Sequence, residues 1–286
     1  MSFDILGTGS RVPRKVVTND DLTEFLDTSD EWIYTRTGIR KRHVLTDETL
    51  LDLAVGSAEI ALEDAKTSPS EIGFVLAATM RGDTVTPSFA FCVAEKLGIA
   101  APAFDVNAAC VGVLYCMELA DSLISTGKAD KILIVSAEAM SKLVDWNDRA
   151  SCVLFGDGSG AMVVGKGEGR LAGILSGKPD SVSIRMPSFE GESRFNEIKA
   201  EKMVMHMDGQ EVYKFAVNAM GHEIENVCQK AGIEPAEVDW FLPHQANVRI
   251  VDACQKKFKI EKSKVLMNIA EYGNMSATSI MVLLDE

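Results

Sequence analysis

Hydrophobic residues recur along the chain at two spacings, one typical of helices and one of buried strands. The segment Leu50–Lys66 places its apolar side chains at the spacing of an amphipathic helix, with Thr46 as the expected N-cap. Ile72–Thr79 and Lys131–Ser136 are short apolar runs of strand length. Strands this apolar are usually covered on both faces, so the pattern predicts a layered α/β protein.

Two further apolar runs flank a glycine-rich stretch. Ala150–Phe155 and Ala161–Val164 have the composition of strands, and Gly156–Gly160 between them has the composition of a turn. A hairpin is therefore expected here.

The sequence also repeats itself at a spacing of 166 residues. Residues 231–242 resemble residues 65–76, and each copy is expected to contain a helix end, a turn and a buried strand. The same spacing aligns Cys110 with Ser276, and each of these residues precedes an apolar run. Two similar halves are therefore expected.

The boundary between the halves is expected in the linker Gly165–Arg170, which is rich in glycine and charge. It gives an N-terminal half over residues 1–166 and a C-terminal half over residues 167–286. The polar stretch Ser176–Lys202 that follows the linker is expected on the surface.

Composition and charge narrow the class of protein. Hydrophobic residues make up 47% and charged residues 25%, a balance typical of a folded globular chain. A net charge of −13 disfavours nucleic acid as a partner. No apolar run could cross a bilayer and no secretory leader is visible, so a cytoplasmic protein is expected. The 6 cysteines show no spacing typical of zinc, and no metal is expected.

Cys110 carries the strongest chemical signal. A strand is expected to end near Val106, and a helix that is apolar on nearly every side is expected to run from about Cys110 through Ile124. A thiol at a helix N-terminus lies at the positive end of the backbone dipole, which favours the nucleophilic thiolate. The alternative is a packed structural cysteine, as is assumed for Cys116.

Two further polar residues follow the second copy of the repeat. His244 comes directly after the expected strand, where α/β sheets usually present functional groups. The alternative is a structural histidine, buried in the core with its hydrogen bonds satisfied there. Asn274 lies in a turn that corresponds to the turn before Cys110. We therefore expect Cys110, His244 and Asn274 to converge where the two halves meet.

These segments resemble the β-ketoacyl-[acyl carrier protein] synthase III family of the thiolase superfamily. The resemblance is carried by Asn-Ala-Ala-Cys110, by His244-Gln-Ala-Asn, by Gly-Asn274-Met-Ser-Ala and by the entry segment Ser29–Arg40. It implies a five-layered αβαβα fold and a homodimer. The implied reaction is decarboxylative condensation of an acyl-CoA primer with malonyl-[acyl carrier protein], which initiates fatty acid biosynthesis. No cofactor is implied beyond the coenzyme A thioester itself.

Two departures from the family pattern matter. The family typically has Thr after the catalytic Asn, where this chain has Met275. The family also continues beyond the position of Glu286, through a closing strand pair and a glycine-rich loop near the nucleophile. We expect this tail to be missing from the sequence rather than from the protein, because loss of core strands would expose open sheet edges.

The resemblance also implies residue roles. Cys110 would carry the acyl group, while His244 and Asn274 would donate hydrogen bonds to the enolate oxygen. Trp32 would stack on adenine, with Arg149 on the opposite face. The residues expected to bind coenzyme A and its pantetheine arm are Thr28, Trp32, Arg36, Arg149, Gly209 and Asn247.

Acyl carrier protein is strongly acidic, so it would need local positive charge on a chain that is itself acidic. A basic run follows His244 and can supply this charge. The residues expected to dock the carrier are Lys214, Gln245, Ala246, Asn247, Val248, Arg249, Lys256 and Lys257. Thr86 is expected at the floor of the acyl pocket, where a small residue would admit primers longer than acetyl.

Three alternatives stay open at this point. A related synthase could use malonyl-CoA or a long acyl-CoA to make a polyketide or a signalling product. A Cys-His-Asn hydrolase would use His244 as a base and release free acid. A catalytically inactive acyl-CoA-binding protein would leave the thiol of Cys110 unacylated.

Overall fold

The computed structural model of the chain describes residues 2–188, 194–195 and 201–286. Its strands are β1 (Ser2–Arg11), β2 (Lys15–Thr18), β3 (Lys41–Val44), β4 (Phe74–Ala78), β5 (Ala103–Val106), β6 (Lys131–Ala139), β7 (Asp157–Gly167), β8 (Ile184–Arg185) and β9 (His206–Met207). Its α-helices are α1 (Asn19–Leu22), α2 (Asp30–Thr37), α3 (Leu50–Asp64), α4 (Phe89–Leu97), α5 (Gly112–Ser125), α6 (Gly209–Ala231), α7 (Val248–Phe258), α8 (Ile269–Tyr272) and α9 (Thr278–Asp285).

The main sheet has five strands in the order β1-β7-β6-β4-β5. Strand β4 runs parallel to β5 and β6, whereas β7 runs antiparallel to β6 and β1. Helix α3 begins as predicted at Leu50, but its N-cap is Thr49 rather than Thr46. The Thr49 hydroxyl accepts from the Asp52 backbone N–H, and the Asp52 carboxylate accepts from the Thr49 N–H. This reciprocal pair satisfies two donors that Thr46 lies too far away to reach.

Both faces of the sheet are covered, as the apolar strands predict. In β4, Val75 and Ala77 belong to a core under α3 and α4, whereas Leu76 and Ala78 belong to a core under α5 and α9. Successive strand residues point to opposite faces, so one continuous apolar run fills two cores at once.

The predicted hairpin around Gly156–Gly160 is wrong. Gly156 directly precedes a single strand, β7, and the rest of the glycine-rich stretch lies inside that strand, which pairs with β1 on one side and β6 on the other. A Cβ added at Gly160 would lie 2.5 Å from Cβ of Met281, on α9. The small residues therefore serve close packing of strand against helix rather than a turn.

The second copy of the repeat matches the first in its helical parts. A single turn of 3-10 helix at Pro69–Glu71 has its counterpart at Pro235–Glu237. Helix α5 begins at Gly112 and helix α9 at Thr278, the same spacing as between Cys110 and Ser276, which is 166 residues.

The buried strand expected at the end of the second copy does not form. Phe241 makes an isolated parallel bridge to Val265, and Trp240 is 58% exposed. Within the described residues the segment has a neighbour on one side only, and Pro243 has no N–H with which to extend the ladder. In the described part of the second copy, this bridge therefore stands where the strand was expected, and α6 and α7 pack together.

Helix α5 also differs from its prediction. It begins two residues after Cys110, which lies in the preceding 3-10 turn Ala109–Val111. The helix is not buried all round, because Leu114 and Leu119 have large exposed fractions. Apolar side chains of α5 are thus partly uncovered in the single chain.

The polar stretch Ser176–Lys202 is exposed over most of its described part, which includes β8, and residues 189–193 and 196–200 lie outside the described residues. Across the described ranges, no helix is long and apolar enough to span a membrane.

Candidate active site

Cys110 lies between the end of β5 and the start of α5. Ala109, directly before it, has a φ of 46°, which is unusual for a residue with a side chain. The sulfur of Cys110 accepts a hydrogen bond from Oγ of Ser276, at 3.7 Å. No sequence motif assigns a role to Ser276, although the repeat aligns it with Cys110. Strained backbone of this kind often accompanies a functional site.

Asn274 is held by its backbone beside the segment that precedes β7. Its N–H donates to the Leu154 carbonyl at 2.8 Å, and its own carbonyl accepts from the Gly156 N–H at 3.1 Å. The side-chain Oδ1 accepts from the Ser276 N–H at 2.8 Å. Since Oδ1 is occupied, Nδ2 is the end of the amide that is available to donate to a substrate oxygen.

His244 lies in the loop after the Phe241 bridge. Its Nδ1 is buried and has no hydrogen-bond partner among the described residues. Gln245, the next residue, is fully buried, and its Oε1 accepts from the N–H groups of Asn268 and Ile269 at 3.1 Å and 3.2 Å. Gln245 therefore fixes the loop that carries His244. Its predicted place on the docking surface is wrong, because a buried side chain cannot contact a partner.

The electrostatics of the site favour the Cys110 thiolate. Burial raises the pKa of Cys110, but the attraction and hydrogen bond of His244, with the hydrogen bond from Ser276, outweigh it and leave the pKa below its ordinary value. Burial, with the negative charge of a nearby carboxylate, raises the pKa of Cys116 to about 12 and that of Cys152 to about 11. Cys110 is thus distinguished from both as the reactive thiol.

Two guanidinium groups lie near the ring of Trp32, the residue expected to stack on adenine. Cζ of Arg36 lies 4.6 Å from the centre of the Trp32 ring, and Cζ of Arg149 lies 5.1 Å from it. Both distances allow a cation–π interaction. The hydroxyl of Thr28 is buried without a partner among the described residues, so it is a polar group that a ligand could satisfy.

A cavity of about 540 Å³ brings together the residues expected at the pantetheine arm and some of those expected at the carrier. Its lining consists of Arg36, Gly209, Gln210, Tyr213, Lys214, Asn247 and Arg249. Asn247 caps α7 through its Oδ1, which accepts from the Arg249 N–H at 2.9 Å. The cap places Arg249 at the rim, where its guanidinium donates to the Thr35 carbonyl at 3.1 Å.

The other predicted docking residues lie on α6 and α7 or just before α7. Lys256 and Lys257 are exposed in the last turn of α7, and Nζ of Lys257 donates to Oδ1 of Asn218 at 2.6 Å. Lys214 is paired with Glu211 at 2.7 Å, which offsets part of its charge. Ala246 and Val248 are half-buried beside the cavity lining.

Thr86 lies on an exposed loop. Among the described residues no group of three His, Cys, Asp or Glu side chains could hold a metal ion. The α/β layers, with a low-pKa cysteine, a histidine and an asparagine at the junction of two similar segments, define a condensing enzyme with a thiolase-like α/β fold.

Comparison with known proteins supports this class. Residues 104–181 match the family model 3-oxoacyl-[acyl-carrier-protein (ACP)] synthase III, and residues 228–286 match the model of its C-terminal part. The chain is 43% identical over 289 residues to β-ketoacyl-[acyl-carrier-protein] synthase III of Aquifex aeolicus, covering 100% of this chain and 90% of that relative.

Two solved structures are similar to the whole chain. The β-ketoacyl-[acyl carrier protein] synthase III of Thermus thermophilus has a TM-score of 0.90 at 39% identity, with 98% of this chain and 88% of that chain covered. The priming β-ketosynthase of the R1128 polyketide biosynthetic pathway has a TM-score of 0.91 at 32% identity, with 99% and 86% covered. The chain belongs to the 3-oxoacyl-[acyl-carrier-protein] synthase III family.

Proposed function

We propose that the protein condenses an acyl-CoA primer with malonyl-[acyl carrier protein] to give 3-oxoacyl-[acyl carrier protein], the first condensation of fatty acid biosynthesis. The observation that best supports this proposal is the arrangement of polar side chains around the sulfur of Cys110. The pKa of Cys110 is lowered by His244 and Ser276, and Asn274 lies two residues before Ser276, with its amide Nδ2 available to donate.

In the first half-reaction the Cys110 thiolate attacks the thioester carbonyl of acyl-CoA. A bond forms between sulfur and the acyl carbon, and coenzyme A leaves as its thiolate. Trp32 and Arg149 hold the adenine, Thr28 and Arg36 lie along the nucleotide, and Gly209 and Asn247 line the path of the pantetheine arm. The product is an acyl-enzyme on Cys110.

In the second half-reaction malonyl-[acyl carrier protein] occupies the same cavity and loses carbon dioxide. The electron pair of the broken carbon–carbon bond forms an enolate, whose oxygen accepts hydrogen bonds from Nε2–H of His244 and Nδ2–H of Asn274. The enolate carbon attacks the acyl carbonyl and expels the Cys110 thiolate. His244 and Asn274 thus act on an oxyanion, and neither is required to remove a proton from the thiol.

The carrier docks on the exposed basic residues of α7, chiefly Arg249, Lys256 and Lys257. Lys214 contributes less because Glu211 neutralises part of its charge. Ala246 and Val248 support the rim by packing, without charge.

We also propose a homodimer with a cytoplasmic location. Strand β5 is an edge of the main sheet, and apolar side chains are exposed on and around it: Val85, Phe91, Phe104, Val111 and Leu114. A second copy would cover this patch and the free strand edge. Thr86 follows Val85, so it would meet the partner there and reach an acyl pocket across the interface. Six free thiols support a reducing compartment.

We further divide the chain into halves at residues 1–166 and 167–286. The support is the common spacing of α5 and α9 and of the two 3-10 turns. Each half would then contribute one of the two helices that begin beside the site.

Intact-mass spectrometry tests the function directly. Incubation with acyl-CoA should add one acyl group to Cys110, and later addition of malonyl-[acyl carrier protein] should remove it, with release of carbon dioxide and formation of a 3-oxoacyl carrier. Removal of the acyl group as free acid, without carbon dioxide, would instead identify a hydrolase.

The similarity to a priming polyketide synthase provides a second candidate function, a condensation in polyketide biosynthesis. A synthase of that kind would differ in its substrates rather than in its catalytic residues. Comparison of kcat/KM for malonyl-[acyl carrier protein] with that for malonyl-CoA separates the two, and a preference for malonyl-CoA would overturn the carrier-dependent reaction.

A further inference from the structure

Arg42, on β3, is a fully buried cation that the proposed reaction does not use. Its guanidinium donates to the Val153 carbonyl at 2.7 Å, to Oδ1 of Asn19 at 2.9 Å and to the Val17 carbonyl at 3.4 Å. These acceptors are all neutral, and Nε is buried without a partner among the described residues. A buried charge held in this way is often less stabilising than an apolar side chain of similar volume, so a role beyond stability is indicated.

The Val153 carbonyl belongs to the segment that holds Asn274. The carbonyl of Leu154, the next residue, accepts from the Asn274 N–H at 2.8 Å, and the Gly156 N–H donates to the Asn274 carbonyl at 3.1 Å. Phe155 and Asn274 thus form an isolated parallel bridge. Both backbone hydrogen bonds of Asn274 go to this segment, so the position of the segment sets the position of the side-chain amide.

The aliphatic stem of Arg42 lies against the same bridge. A Cβ added at Gly156 would lie 3.1 Å from Cβ of Arg42, and one added at Gly273 would lie 3.5 Å from it. Gly156 belongs to the first of the two bridged segments and Gly273 to the second, so the stem of Arg42 lies close to both. The Arg40 N–H donates to the Ala270 carbonyl at 2.9 Å, which also holds the start of β3 beside α8.

Asn19 fixes the other end of the guanidinium. Its Nδ2 donates to the Ile39 carbonyl at 2.7 Å and to the Asp30 carboxylate at 2.8 Å, so its Oδ1 faces Arg42. Burial lowers the pKa of Arg42 to about 10, which leaves the group charged at neutral pH with all of its donors present. A planar guanidinium that is bonded at both ends has little freedom to rotate, so it holds Val153 at a fixed distance from Asn19.

We propose that Arg42 is a positioning residue for Asn274, because its guanidinium fixes the Val153 carbonyl and with it the segment to which the Asn274 backbone is bonded. The inference rests on the proposed role of Asn274 as a donor to the enolate oxygen. Such a donor is effective only when its N–H is held where negative charge develops. Acylation of Cys110 does not use the Asn274 amide, so Arg42 acts on condensation.

The first experiment separates the two half-reactions in single turnovers. Arg42→Met removes the donors at similar side-chain length, whereas Arg42→Lys keeps the charge and one donor group. Condensation from preformed acyl-enzyme should be slower by about 10- to 100-fold in Arg42→Met and by less in Arg42→Lys. Acylation of Cys110 should stay near wild type, because Asn19 keeps its own bonds to Ile39 and Asp30.

The same substitution in an Asn274→Ala background distinguishes positioning from general damage. Without the amide there is nothing left to position, so Arg42→Met should slow condensation by no more than about twofold beyond Asn274→Ala alone. A loss as large as in the wild-type background would overturn the proposal.

Hydrogen exchange followed by mass spectrometry tests the positioning without any substrate. Amides of residues 153–156 and 273–276 should exchange faster in Arg42→Met than in wild type. Arg170 provides the matched control, since its guanidinium is also largely buried, with a side chain that is 13% exposed, and pairs with Glu118 on α5. Arg170→Met should lower Tm and leave exchange of these amides at the wild-type rate.

Unchanged exchange in Arg42→Met, or an equal increase in Arg170→Met, would overturn the proposal. If Arg42→Met does not fold, Arg42→Lys takes its place in both measurements, with the same directions expected. A wild-type enzyme that forms no 3-oxoacyl carrier would count against the proposed function, and the exchange rates would then judge the role of Arg42 by themselves.

Discussion

Ser276 donates its hydroxyl hydrogen to the sulfur of Cys110 at 3.7 Å, and the two residues occupy equivalent positions 166 residues apart. Each lies two residues before the start of a helix, α9 for Ser276 and α5 for Cys110. Ser276 has a φ of 54°, similar to the 46° of Ala109 beside Cys110. The nucleophile in one repeat is therefore tuned by its own counterpart in the other.

Replacement of Ser276 by Ala should raise the pKa of Cys110, because one donor to the thiolate is lost. The pH profile of Cys110 acylation should move upwards by about half a unit to one unit, with the same plateau at high pH. Ser279 provides a matched control, since it lies in the same turn and its Oγ accepts from the Met275 N–H at 2.9 Å. Ser279→Ala should lower Tm without moving the profile, and an equal shift in both variants would contradict the assignment.

His244→Ala should affect both half-reactions, but in different ways. The pKa of Cys110 lies below its ordinary value chiefly because His244 outweighs burial. Removing His244 raises that pKa, so acylation should be slower at neutral pH and recover as pH rises. Condensation should fall by about 10²–10³ at every pH, because the oxyanion donor is lost.

Two further variants provide the comparison for His244→Ala. Asn274→Ala should slow condensation to a similar extent and leave acylation near wild type, whereas Cys110→Ser should form no acyl-enzyme. Intact-mass spectra of the three variants, recorded with acyl-CoA at several pH values before any malonyl substrate is added, distinguish these outcomes. A folded His244→Ala protein that stays unacylated even at high pH would favour a hydrolase-type triad, in which the histidine is the obligatory base.

Reversal of charge at Lys256 and Lys257 to Glu should raise KM for malonyl-[acyl carrier protein] and make it less sensitive to salt. Acylation from acyl-CoA should stay near wild type, because neither side chain lines the cavity. Lys15 and Lys128, exposed elsewhere, are suitable control positions for the same reversal. Equal loss in both half-reactions would indicate damage to α7 rather than loss of docking.

Thr86→Phe should narrow the choice of primer. If Thr86 meets the acyl pocket across a dimer interface, a large ring would exclude long or branched primers and leave acetyl-CoA usable. Discrimination of about 1–3 kcal/mol, or 10- to 200-fold in kcat/KM, is the expected range for one pocket residue. The measurement is kcat/KM over a series of acyl-CoA primers, with sedimentation to establish the dimer. A wild-type enzyme that prefers acetyl-CoA over every longer primer would contradict the role of Thr86.

The sequence by itself predicted the layered α/β core and the bounds of α3 and β4 to within a few residues, and it indicated Cys110, His244 and Asn274 as the candidate site. It could do so because apolar periodicity depends on neighbours along the chain, and because the motifs around these residues are contiguous. It failed at Gly156–Gly160, where the composition of a turn and that of a closely packed strand are the same. The difference is made by Met281, more than a hundred residues away in α9.

The tertiary structure alone decided which groups act on the sulfur. Gln245 is followed by Ala246 and Asn247 in a segment expected to be at the surface, yet it is buried because Asn268 and Ile269 converge on its amide. Ser276 had no motif of its own, and it is not near Cys110 in sequence. The hydrogen bond from Ser276 to the thiol joins atoms that only the folded sheet and its two flanking helices bring within range.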